Sequence, residues 1–208
     1  MRQFKKVLTY TKTLSIYRFS DSLVMQRKKL NCFVLIGLLG IPSICFASAE
    51  VWLLIDTQTR NLEVKKGDET IDVLEHVVIG RKGAGNKEYR GDDVTPLGNY
   101  RIGWINDKSS FRKFFGLTYP NVQQAQDALD KGKIDPETYQ AIETAHARGD
   151  IPPQNTVLGG QIGIHGLGSG SLLVHEEFDW THGCIALTNE QIDRLSQYVE
   201  KGTLVTVK

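Results

Sequence analysis

Short apolar bursts separated by turn residues set the pattern from Glu50 onward. Val51 to Ile55, Leu62 to Val64 and Ile71 to Ile79 read as strands, with Thr57-Gln58-Thr59-Arg60-Asn61 and Lys66-Gly67-Asp68 as the turns between them. This predicts a β-meander. A glycine- and charge-rich loop runs from Gly80 to Asp93, and Thr95-Pro96-Leu97-Gly98 leads into a further strand, Tyr100 to Ile105. Between Asn121 and Gly149 the period changes, because Val122, Ala125, Ala128 and Leu129, then Tyr139, Ile142 and Ala145, recur at helical spacing. Two short helices fit. The second has Asp135 as N-cap, Pro136 at its first position and Gly149 as its stop. Their apolar stripes are expected to pack against the sheet, with a lid over a site as the alternative. Ile162-Gly163-Ile164-His165-Gly166 reads as a strand ending in histidine, followed by a flexible link, Gly168 to Ser171. Thr188-Asn189-Glu190-Gln191 is a capping box opening the last helix, with Ile192, Leu195 and Val199 as its buried stripe, and Thr203 to Val207 closes the chain as a strand. The expectation is one α+β domain over residues 50–208, mostly antiparallel β, with a helical insertion over about 111–161 and a C-terminal helix.

The residues before Glu50 do not belong to that core. Arg27, Lys28 and Lys29 precede a fifteen-residue apolar run from Cys32 to Phe46, and Ala47-Ser48-Ala49 follows. A membrane-spanning helix needs roughly 20 apolar residues, whereas a short run ending in small residues is what a signal peptidase cuts. Residues 1–49 are therefore expected to be a secretory signal peptide, with an uncleaved anchor as the alternative. Met25 to Ala49 alone completes such a peptide, which marks residues 1–24 as a candidate mis-assigned start. Ile44, directly before Cys45, is too large for lipoprotein processing. The chain has 208 residues, 40% hydrophobic and 24% charged, enough for a sizeable core. Eight of its 25 basic residues and one of its 24 acidic residues lie in the expected signal peptide, so the remainder is an acidic, exported domain. Without a dense Lys/Arg stripe it is a poor partner for nucleic acid. No stable membrane span is expected after cleavage.

Charge and export change the meaning of the cysteines. Cys32 and Cys45 fall in the signal segment, so Cys184 stands alone, with no intramolecular disulfide partner in an oxidising compartment. Such a thiol is either buried filler or reactive by design. A thiol attacks a carbonyl as thiolate and needs a base beside it. His182 is two residues away, and His165 ends the strand upstream. Side chains two apart share a side on an extended segment but not across a tight turn, so local spacing alone does not make His182 the base. His165 is positioned to meet Cys184 across neighbouring strands. Gly183 suits a tight backbone with open amides for a developing oxyanion, an ordinary turn glycine being the alternative. His165, His175, His182 and Cys184 are all residue types that bind zinc, but their spacing resembles no structural site, and no metal or other cofactor is expected. His76 and His146 read as structural, and so does His175, with substrate contact as its alternative. Arg81, Lys82, Lys87 and Arg90 read as a solvated loop, or as a basic face toward carboxylates.

Ile164-His165-Gly166, a short linker and Thr181-His182-Gly183-Cys184-Ile185 together resemble the signature of the L,D-transpeptidase (YkuD-type) catalytic domain. Thr95-Pro96-Leu97-Gly98-Asn99-Tyr100 is similar to that family's strand entry, and the likeness runs from about Val51 to Lys208. The resemblance implies an L,D-transpeptidase-like β-sandwich and a periplasmic enzyme acting on peptidoglycan stem peptides. It implies Cys184 as nucleophile, His165 as base, Gly166 as the carbonyl that orients His165, and Thr181, His182, Gly183 and the Cys184 amide around substrate and oxyanion. The acyl group of the third stem residue, a diamino acid, would pass through a thioester to an amine, or to water in a hydrolase. The remaining alternative is a non-catalytic wall-binding module. Many members carry Arg or Asn two positions after the cysteine, where this chain has Ala186. The long segment from Phe111 to Gln161 resembles a branch in which some members detach proteins from the wall.

Overall fold

The computed structural model describes residues 50–208, so the expected signal peptide lies outside the described residues. Ten strands and four helices follow in chain order. They are β1 (Val51–Asp56), β2 (Asn61–Lys66), β3 (Glu69–Leu74), β4 (Ala84–Gly85), β5 (Thr95–Pro96), β6 (Gly98–Ser109), β7 (Arg112–Leu117), α1 (Val122–Asp130), α2 (Pro136–Arg148), β8 (Gly163–His165), α3 (Leu172–Glu177), β9 (Ile185–Ala186), α4 (Asn189–Leu195) and β10 (Leu204–Val207). Eight strands form one sheet in the order β3-β2-β1-β10-β6-β7-β8-β9, and β4 pairs with β5 alone. The pairs are antiparallel except β1 with β10, β8 with β9 and β4 with β5.

The expected sandwich is built from this single sheet, and β6 is the hinge. Its first residues pair with β10 and the rest with β7, with a register shift between Ile102 and Trp104. Leu53, Ile55, Leu62 and Val205 from one half share a buried cluster with Phe115, Leu117, Ile164 and Ile185 from the other. The two halves therefore enclose one core. Period-two burial in β1 and β2 gives each strand one inward apolar face. Helix α4 adds Ile192 and Leu195 to the same cluster, its start held by the Thr188 capping box with Gln191.

Three expectations need correction. The strand proposed for Ile71 to Ile79 stops at Leu74, because His76 takes a left-handed conformation and Val78 keeps only a bridge to Ala186. The insertion does not begin at 111: Arg112–Leu117 is a strand of the main sheet between β6 and β8. Its two leading basic residues hid an inward face that only tertiary pairing reveals. The link after Gly166 is not free chain, since Asn189 grips Gly168 from both sides, accepting from its N–H and donating to its carbonyl at 2.8 Å each. Helix α3 then follows.

Helices α1 and α2 start and stop where the capping residues direct, with Asn121 and Asp135 accepting at the N-termini and Gly149 left-handed at the end of α2. Their stripes do not join the main core. Ala125, Ala128 and Ile142 form a second cluster with Ile134 and Leu158. It is tied to the sheet by Gln124, whose amide donates to the Leu97 carbonyl and the Tyr100 hydroxyl. Among the described residues no helix is long and apolar enough to cross a membrane.

Candidate active site

The sheet brings the histidine strand and the cysteine loop side by side. In the parallel pair β8–β9, His165 lies beside Ala186 and Ile164 beside Ile185. Cys184 is two residues before Ala186, in the loop that leads into β9. His165 and Cys184 line one cavity of about 620 Å³, together with Trp104, Phe111, Phe114, Gln161, Trp180, Thr181 and His182. That volume lies within the ordinary range of small-molecule sites.

His165 is held by both chemistry and packing. It is 3% exposed, and its Nδ1 lies 2.7 Å from the Gly166 carbonyl oxygen. A carbonyl only accepts, so Nδ1 carries the hydrogen and Nε2 keeps its lone pair. The ring stacks near-parallel on Phe114, packs on Phe111 at 4.4 Å between centroids, and meets Trp180 edge-on. Trp104 completes this wall by lying directly over Gly116, where any Cβ would come within 2.1 Å of the indole. Only glycine allows that approach.

The cysteine loop is templated by the segment Asp92–Thr95. Thr181 Oγ1 accepts from the Gly183 N–H at 3.1 Å and donates to the Cys184 carbonyl at 2.7 Å, closing the turn on itself. Thr95 Oγ1 accepts from Gly80 and reaches the same carbonyl. Gly183 has φ +123°, and an added Cβ would sit 2.7 Å from the Val94 oxygen. Asp93 binds His182 Nδ1 at 2.6 Å, which orients a mostly exposed imidazole at the cavity mouth. Beneath them the buried pair Lys87–Asp92 anchors the segment, with Asp92 also accepting N–H groups of Glu88, Tyr89 and Val94.

The resting protonation states follow from burial. Cys184 Sγ donates to the Gln161 carbonyl at 3.5 Å and makes no hydrogen bond to His165. Burial pushes its thiol up to about 11, against the opposing pull of the Gly163 N–H and the Lys87 charge. Burial also lowers His165, with the Gly166 carbonyl working the other way and His175 adding to the drop. Thiol and imidazole are both neutral at pH 7. Asp93 is held below the usual carboxylate range, chiefly by its bond to His182.

Residues 50–207 match the family model of the YkuD L,D-transpeptidase catalytic domain. The chain belongs to the L,D-transpeptidase (YkuD) family. Its fold is similar to that of Pgp2, a helical cell shape determining protein from Campylobacter jejuni, at 24% identity and TM-score 0.50, over 76% of this chain and 47% of that one. A point mutant of Pgp2 gives 22% identity and TM-score 0.51, over 77% and 48%. A mutant L,D-transpeptidase from Enterococcus faecium is matched at 13% identity and TM-score 0.44, over 76% and 50%. The chain thus spans about half the length of these solved relatives. No curated protein matches it.

Within this L,D-transpeptidase domain Cys184, His165, Thr181 and His182 converge on one cavity, and Gly166 contributes its carbonyl to His165. Gly183 is a partial exception, since its N–H is engaged by Thr181. The amides of His182 and Cys184 donate to no protein group among the described residues. Ala186 is fully buried, ladders with Val78 and does not line the cavity. His175 lies in α3 rather than a linker, 1% exposed, with both ring nitrogens unpartnered. The basic loop divides: Lys87 is buried, Arg90 donates to Asn155, and Arg81 lines the cavity. Neither α1 nor α2 contributes to the cavity wall, so the lid reading has no support. Asp93 and the aromatic wall escaped the sequence reading, because they come from segments far apart along the chain.

Proposed function

We propose that the protein is an exported cysteine acyltransferase acting on peptidoglycan stem peptides. Cys184 is the nucleophile and His165 the base. As the sulfur adds to the carbonyl of the third-residue diamino acid, its proton passes to His165 Nε2, and the oxyanion is received by the His182 and Cys184 amides. Collapse expels terminal D-alanine, whose amine takes the proton from His165 and leaves a thioester. An amine of another stem peptide then attacks the thioester and releases the thiol.

One observation carries this reading: an imidazole with a fixed Nδ1 and a free Nε2 shares a cavity wall with Cys184, the one cysteine among the described residues. Buried filler needs no such histidine, and a wall-binding module needs no such pairing. With a thiol near 11 and a lowered imidazole, a preformed ion pair is not the resting state. The proton moves as the carbon–sulfur bond forms, which is general-base rather than ion-pair activation. Membership of the family and the signal-peptide pattern of residues 25–49 favour a cell-wall substrate outside the cytoplasm.

The test is incubation of purified protein with defined tetrapeptide and pentapeptide muropeptides, followed by mass spectrometry. A dimer joined between two diamino acids supports transfer. Free tripeptide with no dimer makes the same site a hydrolase. No change in any muropeptide, or products that persist in Cys184→Ser, overturns the reading.

A further inference from the structure

Among the described residues, Arg81 is the one permanently charged side chain in the wall of the cavity that holds Cys184 and His165; the rest are aromatic, amide, hydroxyl, thiol or imidazole groups. Among the described residues it is again the one charged group of the adjoining cavity of about 450 Å³, which shares Ser110, Phe111 and Trp180 with the first. Its backbone is fixed, since its N–H donates to the Thr181 carbonyl at 3.0 Å in the loop that ends at Cys184. The side chain is about half exposed, and its guanidinium donates no hydrogen bond to a protein group among the described residues. Its one ion pair among the described residues is a long one, 4.0 Å to Asp93 Oδ2, while Oδ1 of the same carboxylate holds His182. A planar fork of donors, without a hydrogen-bonded partner in the protein, thus stands at the junction of two cavities walled by aromatic and neutral polar groups.

We propose that Arg81 binds a carboxylate of the substrate and so selects wall peptides bearing that group as the free acid over the amide. The inference rests on the stem-peptide reading above and sharpens its substrate class. A guanidinium pairs with carboxylate in a bidentate fashion, while a primary amide offers one acceptor and no charge. A tetrapeptide ending in D-alanine carries its terminal carboxylate one residue beyond the scissile bond, and a diamino acid that bears a side-chain carboxylate would carry a second on the other side of it.

The test uses the full chain and three tetrapeptides: the diacid and the two forms amidated at one carboxylate each. Binding is measured by calorimetry with Cys184→Ala protein, with and without Arg81→Gln or Arg81→Lys, and turnover by mass spectrometry with Cys184 intact. Amidation of one of the two carboxylates is expected to weaken binding to the Arg81 protein about ten- to a hundredfold, the usual size of a charge-assisted contact. The same amidation should leave binding to Arg81→Gln unchanged, with Arg81→Lys intermediate. The arm that loses affinity identifies the carboxylate. Equal preference for acid in Arg81 and Arg81→Gln proteins, or no preference in the Arg81 protein, overturns the proposal. Discrimination in binding without turnover removes the acyl-transfer reading and leaves Arg81 assigned. Turnover without discrimination does the reverse, and peptides that do not bind at all remove both.

Discussion

Cys184 and His165 are tuned in opposite senses by the same burial, so the resting site stores no thiolate. Alkylation of Cys184 by iodoacetamide is therefore expected to be slow at neutral pH and to climb steadily toward the region of 11. A rate already flat between pH 6 and 8 would reveal a standing thiolate–imidazolium pair and contradict that picture. Thr181 bears on the loop rather than on the sulfur. It is 3% exposed, and its hydroxyl both accepts from Gly183 and donates to Cys184. Thr181→Val leaves the Gly183 N–H bare and the Cys184 carbonyl with only the longer contact from Thr95, and should cost about 1–3 kcal/mol of stability, measured by denaturant unfolding, along with most of the turnover. Thr181→Ser should recover both.

At the level of elements, legibility followed locality. Asn121, Asp135, Thr188 and Gly149 act through their own neighbours, and the helices they bound could be read from adjacent letters. β7 could not, because its pairing with β6 and β8 supplies what its sequence Arg-Lys-Phe-Phe-Gly-Leu leaves ambiguous between strand and helix. The catalytic candidates were legible for a similar reason. His165, Thr181, His182, Gly183 and Cys184 sit in two short runs, whereas Asp93, Phe111 and Trp104 join them only through the fold. The α1–α2 insertion has its own small core, which predicts separable effects. Ile142→Ala should destabilise by about 2–4 kcal/mol through the space it leaves. Turnover at a temperature where the variant remains folded should stay near that of the unaltered protein. A large loss of turnover there would mean that the insertion couples to the cavity after all.

Across the whole molecule, two buried histidines set a response to acid. His165 and His175 are both held below their ordinary 6.5 by burial, with His76 adding to the effect at His175 and Glu176 opposing it. A depressed folded-state pKa means that the unfolded chain binds more protons at mildly acidic pH, so the stability present above about 6.5 is lost as pH falls below it. The lowered carboxylates Asp56, Asp93 and Asp193 release their contribution only nearer or below 3.8, which leaves the interval from 6.5 to 5 to the histidines. The thermal midpoint should therefore fall across that interval, and less steeply in His175→Phe. An unchanged slope would show that His175 takes no part.

Strand β10 lies between β1 and β6, although β1 opens the described chain and β10 closes it. Until Leu204–Val207 arrive, the middle of the sheet is a gap and neither flank can shield its oily side. Such a topology ripens late, because its keystone contacts join distant parts of the polypeptide and are slow to form. If the chain is exported in extended form, as proposed above, that tardiness would keep it pliable until the passage is over. A version ending before Leu204 should accordingly show no cooperative melting at all.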